Sequence, residues 1–388
     1  MKKVFIFCES DPNKEPRVIR TIEALSGRYE MTVCGYLPYK NMNYFDLGKF
    51  IERKKLIGFH LKYPALIRKP ISAFLNLVYY KKSENILNPL LNIKKAAEKL
   101  NELKPAVIIC HGLGFLQLCA YLKTTGRKLI FNAHEYYPSE FEDKPEWKEL
   151  GVKYKTVLSD CSSKIDTVFS VNETIGTRYK KEFNLAFVEI NNSTDHEEAL
   201  KPGQVSNPIR IVHHGVALVN RKIEIMIEAV LKSSVPCELH LILVPTEKEY
   251  FEKLISKYAS NKRIIFSETV AVKQISKHIN QFDIGLFYLE PVNYNWKHAL
   301  PNKLFEFVQA RLAIIISPNP DMKKLVEQYN LGWVTADFTL ESLTTTINSV
   351  SREKIREYKN NSEKHAKELS SIKTKQMMLE SVDRLCAA

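Results

Sequence analysis

Short apolar or β-branched runs recur along the chain, separated by stretches whose hydrophobic residues return at helical spacing. In the first half, Lys3 to Cys8, Met31 to Gly35, Ala106 to Cys110, Lys128 to Asn132, Asp166 to Val171 and Val188 to Asn191 read as strands. The second half repeats the plan with Ile209 to His213, Leu239 to Val244, Arg263 to Ser267, Asp283 to Tyr288, Leu312 to Ser317 and Gly332 to Thr335. Strands alternating with helices predict an α/β class with doubly wound parallel sheets, here two Rossmann-like domains. The expected boundaries are 1–192 and 208–365. Between them Asn191 to Asn207, NNSTDHEEALKPGQVSN, is polar, carries Pro and Gly and has no sustained apolar period, so residues 193–207 read as a linker. From Leu340 onward the pattern is helical and highly charged.

The length of 388 residues suits two cores of about 190 residues each rather than one. Hydrophobic residues make up 45% of the chain, which places it among globular proteins. No apolar run reaches the roughly 18 to 20 residues of a membrane span, and MKKVFIFCES turns to charge too early for a signal peptide, so a cytoplasmic location is expected. Cys8, Cys34, Cys110, Cys119, Cys161, Cys237 and Cys386 are scattered, with neither a zinc spacing nor a disulfide framework, and read as small buried hydrophobes in a reducing compartment. No metal site is expected. No G-x-G-x-x-G follows a strand and no G-x-x-x-x-G-K-S/T loop exists, which argues against dinucleotide oxidoreductases and P-loop NTPases.

The formal net charge of +13 calls for an anionic partner, and its placement matters more than its sum. Between Arg53 and Lys82 there are eight basic side chains and no acid: Arg53, Lys54, Lys55, Lys62, Arg68, Lys69, Lys81 and Lys82, interleaved with aromatic residues. Such a stretch suits the negative inner leaflet of a membrane, where each well-placed cation contributes about 1 kcal/mol. The same chemistry also fits nucleic acid or a solvated basic face, and nucleic acid is the less favoured partner.

The densest local signal lies in Ala299 to Ser317, ALPNKLFEFVQARLAIIIS. Pro301 suits the first turn of a helix because its missing N–H would be unpaired there anyway. The amides of Asn302, Lys303 and Leu304 then point outward at the positive end of the helix dipole, a place for a diphosphate. Leu304, Phe307 and Val308 bury one face, Lys303 stands at the mouth and Glu306 lies one turn deeper, where a carboxylate can accept both hydroxyls of a ribose. Spacing alone also permits an amphipathic helix with a solvated Lys and Glu.

Residues 299–317 resemble the nucleotide-binding motif of family 4 glycosyltransferases, retaining enzymes of the GT-B fold, in the variant that reads roughly L-P-N-K-L-F-E-Y. The match runs through Leu300, Pro301, Asn302, Lys303, Leu304, Phe305 and Glu306, with Phe307 in place of the usual Tyr; Arg311 and Leu312-Ala313 replace the usual glycine and proline. The resemblance implies two Rossmann-like domains facing across a cleft. It also implies a final helix, within 366–388, that packs back on the first domain. The donor is then a nucleotide diphosphate sugar, UDP or GDP type, and the acceptor a glycan or lipid-linked molecule in bacterial surface polysaccharide or glycoconjugate synthesis. No cofactor is needed beyond that donor.

Further segments carry the same resemblance. NAHEYYP is similar to the family's second histidine motif, which puts His134 at the donor sugar with Glu135 nearby; His111, ending the preceding strand in VIICHG, joins them because ligands gather at strand carboxyl ends. A strand-end histidine can equally be a structural group. EPRVIRTIEAL resembles the P-R-V-x-R segment that opens the first helix of many such enzymes, making Arg17 a candidate for acceptor or phosphate, or else a solvated face. IRIVHHGVALVNRKIEIMIEAV resembles the diphosphate-binding strand, loop and helix: Gly215 aligns with the family glycine, Val216 stands where its arginine would be, and Arg221 where its lysine would be, with Lys222 and Lys303 available as the second cation. The family signature has two acids separated by seven residues; Glu306 is the second and His298 occupies the place of the first. The competing readings are a non-hydrolysing nucleotide-sugar epimerase, and a non-catalytic protein that binds anionic lipid or polymer.

Overall fold

The computed structural model describes residues 1–40, 42–51, 87–88, 91–123 and 126–387. They divide into two units, the first comprising Met1–Asn191 with Lys375–Ala388, the second Asn192–Thr374.

The first unit is built on a seven-stranded sheet of β1 (Lys3–Cys8), β2 (Glu30–Gly35), β3 (Asn43–Asp46), β4 (Val107–His111), β5 (Lys128–Ala133), β6 (Thr167–Ser170) and β7 (Phe187–Glu189), in the spatial order 3-2-1-4-5-6-7. Each adjacent pair is parallel. β1 and β4 are buried along nearly their whole length because parallel strands carry helices on both faces. On one face Val4, Ile6, Val107, Ile109 and Ile130 pack against Val18, Ile22 and Leu25 of the helix Pro16–Leu25, and against Met378 and Val382 of the helix Ser371–Ala387. The return of that last helix is held by polar ties as well: Lys2 Nζ donates to Cys386 O at 2.6 Å, and Lys375 pairs with Glu23 at 2.7 Å.

The second unit has a six-stranded parallel sheet of β8 (Ile209–Val216), β9 (Cys237–Val244), β10 (Ile264–Ser267), β11 (Ile284–Phe287), β12 (Ala313–Ile316) and β13 (Gly332–Val334), in the order 10-9-8-11-12-13. The helix Asn302–Gln309 lies on one face, where Leu304, Phe305, Phe307 and Val308 share a core with Val212, Phe287, Ile314 and Ile316. Gly285 permits that approach: a Cβ there would lie 2.4 Å from the Phe307 ring. Residues 193–207 contain neither helix nor strand.

In both sheets the strand order reverses once, between β1 and β4 and between β8 and β11. A crevice opens at the carboxyl edge of such a reversal, because the connecting loops leave in opposite directions. The strands expected from sequence are all present, with ends shifted by up to a few residues. No helix among the described residues is long and apolar enough to cross a membrane.

Candidate functional site

In the second unit the reversal point collects most of the residues singled out by sequence. β8 carries His213, His214 and Gly215 next to its end at Val216, and the chain then runs to Arg221 and Lys222; β11 ends at Phe287; the helix Asn302–Gln309 lies on the same sheet. Pro301 takes the cap position with φ −78° and ψ 157°, one residue before the helix rather than inside its first turn. The Leu304 N–H turns back to Pro301 O at 3.2 Å. That leaves Asn302 and Lys303 to present the outward amides, since the first amides of a helix have no intrahelical acceptor.

Lys303 reaches across Gly215. Its Nζ sits 5.3 Å from the Phe287 ring centroid, and a Cβ on Gly215 would stand 2.6 Å from its Cε and 2.7 Å from its Nζ. Gly215 also has φ 141°, which side-chain-bearing residues rarely adopt. Burial pushes the Lys303 ammonium down to about 8; Glu306 opposes that shift and Arg221 reinforces it. The Arg221 guanidinium lies 4.3 Å over the Trp296 ring, and burial lowers its pKa too. Arg221 thus acts electrostatically on Lys303, which stands in the first turn of the helix, and two neighbouring cations at a helix start suit a diphosphate.

Glu306 is 6% exposed, and Lys303 is half-buried, so the alternative of a solvated Lys and Glu on an amphipathic surface helix is excluded. Its Oε2 lies 3.3 Å from His214 Nε2. Burial, with Lys303 and His213 nearby, holds His214 well below the usual histidine range, so the imidazole is neutral. His213 is likewise neutral, pushed to about 3 chiefly by burial, while its Nδ1 lies 2.9 Å from Leu286 O. Sequence reading passed over His213 and His214; the signal was a pair of histidines ending an apolar strand. Lys222 adopts a left-handed backbone, φ 46°, and its ammonium pairs with Glu290. His298 Nδ1 lies 2.8 Å from Asp321 Oδ2, and its ring packs 4.6 Å from Tyr294.

The first unit assembles a second cluster at its own reversal. His111 Nδ1 lies 3.4 Å from His134 Nε2. Both are neutral: burial is the main cause, and Arg17 adds to it, pushing His111 to about 3 and His134 well below its ordinary range. Arg17 is half-buried rather than a solvated surface residue. Burial raises the pKa of Glu135, with Glu140 and Arg17 opposing; Glu140 is pushed up to about 8 by burial and by Glu135, so the two carboxyls hold a proton between them near neutrality. Beside this loop a cavity of about 630 Å³ is lined by Tyr136, Tyr137, Phe141, Trp147 and Tyr154, with Arg178 and Glu182 among its polar groups. Its aromatic residues all lie between Tyr136 and Tyr154, starting within the NAHEYYP segment, but they are irregularly spaced and form no motif. Arg53, Lys54, Lys55, Arg68 and Lys69 lie outside the described residues. Among the described residues no cluster of three or more His, Cys, Asp or Glu side chains is placed to hold a metal.

No family model matches this chain, and no curated protein matches it in sequence. Solved structures match along its whole length. HepE of Anabaena, solved with UDP and glucose, superposes with a TM-score of 0.69 at 14% identity, covering 99% of this chain and 100% of HepE. TarM gives 0.70 at 11% identity, covering 100% and 99%. Sucrose-phosphate synthase from Thermosynechococcus elongatus gives 0.72 at 13% identity, covering all of both chains. These neighbours are glycosyltransferases of the GT-B fold, and this chain shares that fold, with its two Rossmann-like domains.

Proposed function

We propose that the protein is a retaining glycosyltransferase that moves a sugar from a nucleotide diphosphate sugar to a glycan or lipid-linked acceptor, in bacterial surface polysaccharide or glycoconjugate synthesis. The observation that carries this reading is the convergence of Arg221, Lys303, the Asn302 and Lys303 amides and buried Glu306 at one sheet-edge crevice. The amides and both cations receive the diphosphate, and Glu306 accepts the ribose hydroxyls. A UDP donor is favoured because HepE is solved with UDP and with UDP-glucose.

Departure of the diphosphate builds negative charge on its terminal oxygens. Arg221 and Lys303 neutralise that charge, and their positions are fixed beforehand by Trp296 and Phe287, so little reorganisation is needed as the bond breaks. No metal is assigned a part in this scheme. The leaving phosphate takes the acceptor's proton, with no protein nucleophile. His134 is neutral, so within the first unit it can donate or accept one hydrogen bond to a sugar hydroxyl. The aromatic cavity beside Glu140 is the acceptor's place in this reading, since aromatic faces stack on sugar rings. The basic stretch from Arg53 to Lys82 docks the enzyme on the inner face of the membrane.

Calorimetric titration of UDP, GDP, ADP and CMP into the wild type and Glu306→Ala, at fixed salt, tests the reading. One diphosphate should bind, and the variant should bind it at least tenfold more weakly. Silence from all four nucleotides, or equal affinity in the variant, overturns it.

A further inference from the structure

The first unit holds polar atoms that folding leaves without partners. His111 and Asn132 are register partners on β4 and β5, so their side chains leave the same face of the sheet. The helix Pro16–Leu25 packs on that face, because Ile109 and Ile130 share a core with Val18 and Ile22. Arg17 stands in its first turn. Arg17 Nη1, His111 Nε2 and Asn132 Nδ2 are each buried with no hydrogen-bond partner, and His111 and Asn132 are both 3% exposed. A buried polar group left unpaired is destabilising, so such groups in a folded protein are normally satisfied by a partner.

The local chemistry says what would satisfy them. Arg17 and Arg20 both act on the two imidazoles and oppose their protonation. The acids facing Arg17 are Glu15 and Glu135, with the Tyr137 hydroxyl beside them. Glu15 is occupied at the helix N-terminus, where its Oε1 accepts the Arg17 N–H at 3.4 Å. Glu135 is tied to Glu140, the pair sharing a proton. Glu15 and the Glu135–Glu140 pair balance the two arginines in sum, so what selects an anion here is the set of unpaired N–H donors on a helix and two strands, with no acceptor of this chain on any of them.

We infer that Arg17, His111 and Asn132 form an oxyanion site, and that its ligand is a phosphate group carried by the acceptor. The word acceptor rests on the glycosyltransferase reading; the anion chemistry rests on this unit alone. Donors arriving from a helix and two strands suit the several oxygens of a phosphate better than the two coplanar oxygens of a carboxylate. His111 would donate from Nε2 while its Nδ1 accepts from His134 Nε2, a tautomer the 3.4 Å contact allows.

The test titrates inorganic phosphate, and separately glucuronate, into the full chain, with Arg17→Met, Asn132→Leu and Lys303→Ala as variants, reading heat, thermal midpoint and the imidazole resonances of His111 and His134. Phosphate should bind the wild type and raise the pH at which these imidazoles titrate. Affinity should fall tenfold or more in Arg17→Met and Asn132→Leu and stay within twofold in Lys303→Ala. Arg17→Met should stay folded, since Arg17 Nη1 has no hydrogen bond to lose; if that variant misfolds, Asn132→Leu carries the same reading. Loss of binding only in Lys303→Ala, no binding at all, or glucuronate binding as tightly as phosphate overturns the inference. UDP titrated into the same samples separates the two proposals. UDP binding with phosphate silent removes this site alone, whereas phosphate binding with UDP silent removes the glycosyltransferase reading and leaves the anion site.

Discussion

Gly215→Ala tests how the diphosphate end of the site is built. The new methyl carbon would stand 2.6 Å from Lys303 Cε and 2.7 Å from Nζ, far inside contact distance. The obstructed atoms are the end of a flexible side chain, so Lys303 gives way and the strand stays. The backbone at φ 141° adds strain of about 1–3 kcal/mol for a residue with a side chain. In a unit of this size that lowers the melting midpoint by roughly 2–12 °C. Displacing the ammonium removes one charge-assisted hydrogen bond to phosphate, worth about 1.5–3 kcal/mol, or roughly 10- to 150-fold in UDP affinity. Calorimetry on Gly215→Ala, Lys303→Ala and the double variant separates the two effects: if the methyl acts through Lys303, the double variant binds UDP no worse than Lys303→Ala. A folded Gly215→Ala that binds UDP within twofold of the wild type, or a penalty that persists without Lys303, refutes the reasoning.

Two other perturbations follow from the same packing. Lys303 titrates near 8 when folded against an ordinary 10.5, so between those values the unfolded chain binds more protons and this group's contribution to stability rises with pH. UDP affinity should move the other way, falling as pH climbs above about 8, with Lys303→Arg holding its affinity to pH 10; a flat wild-type profile to pH 10 would remove Lys303 from the phosphate site. Arg311→Gly should relieve about 1 kcal/mol at the left-handed position, φ 59°, yet lose more than it gains. Arg311 pairs with Glu363 and donates to Gln309 O and Glu197 O, so a urea melt should show a net loss of about 1–4 kcal/mol, and equal or greater stability would refute this.

The sheet strands were readable because both faces are covered and each leaves an almost unbroken apolar run. β3 escaped: NYFD at the sheet edge is only half-buried and carries Asn and Asp, so it offers no such run. Lys303 and Glu306 stood out together because residues 299–317 form one contiguous segment, whereas the contact of Lys303 with Gly215 joins two separate segments through the fold. The partners of His298 and Lys222 were not, since Asp321 and Glu290 reach them through the fold. Arg311 looked like a poor turn residue by local rules, and the structure supplies the reason it is tolerated: its buried side chain ties the turn to Glu363 on a later helix. Arg17 is the converse, a helix residue whose spacing suggests solvent and whose guanidinium instead lies beside two neutral histidines.

The chain leaves the first unit at Asn191 and re-enters it at Lys375. The second unit is therefore one uninterrupted stretch, while the first is stitched from two. During synthesis Met378 and Val382, which plug the first unit's core at 2% and 0% exposure, leave the ribosome after every residue of the second unit. The unit begun first is finished last, the reverse of the usual N-terminal-first order. Until then the sheet face beneath Val18 and Ile22 lacks part of its cover, and a chain halted near Thr374 would carry a complete second unit beside a first unit with an open seam.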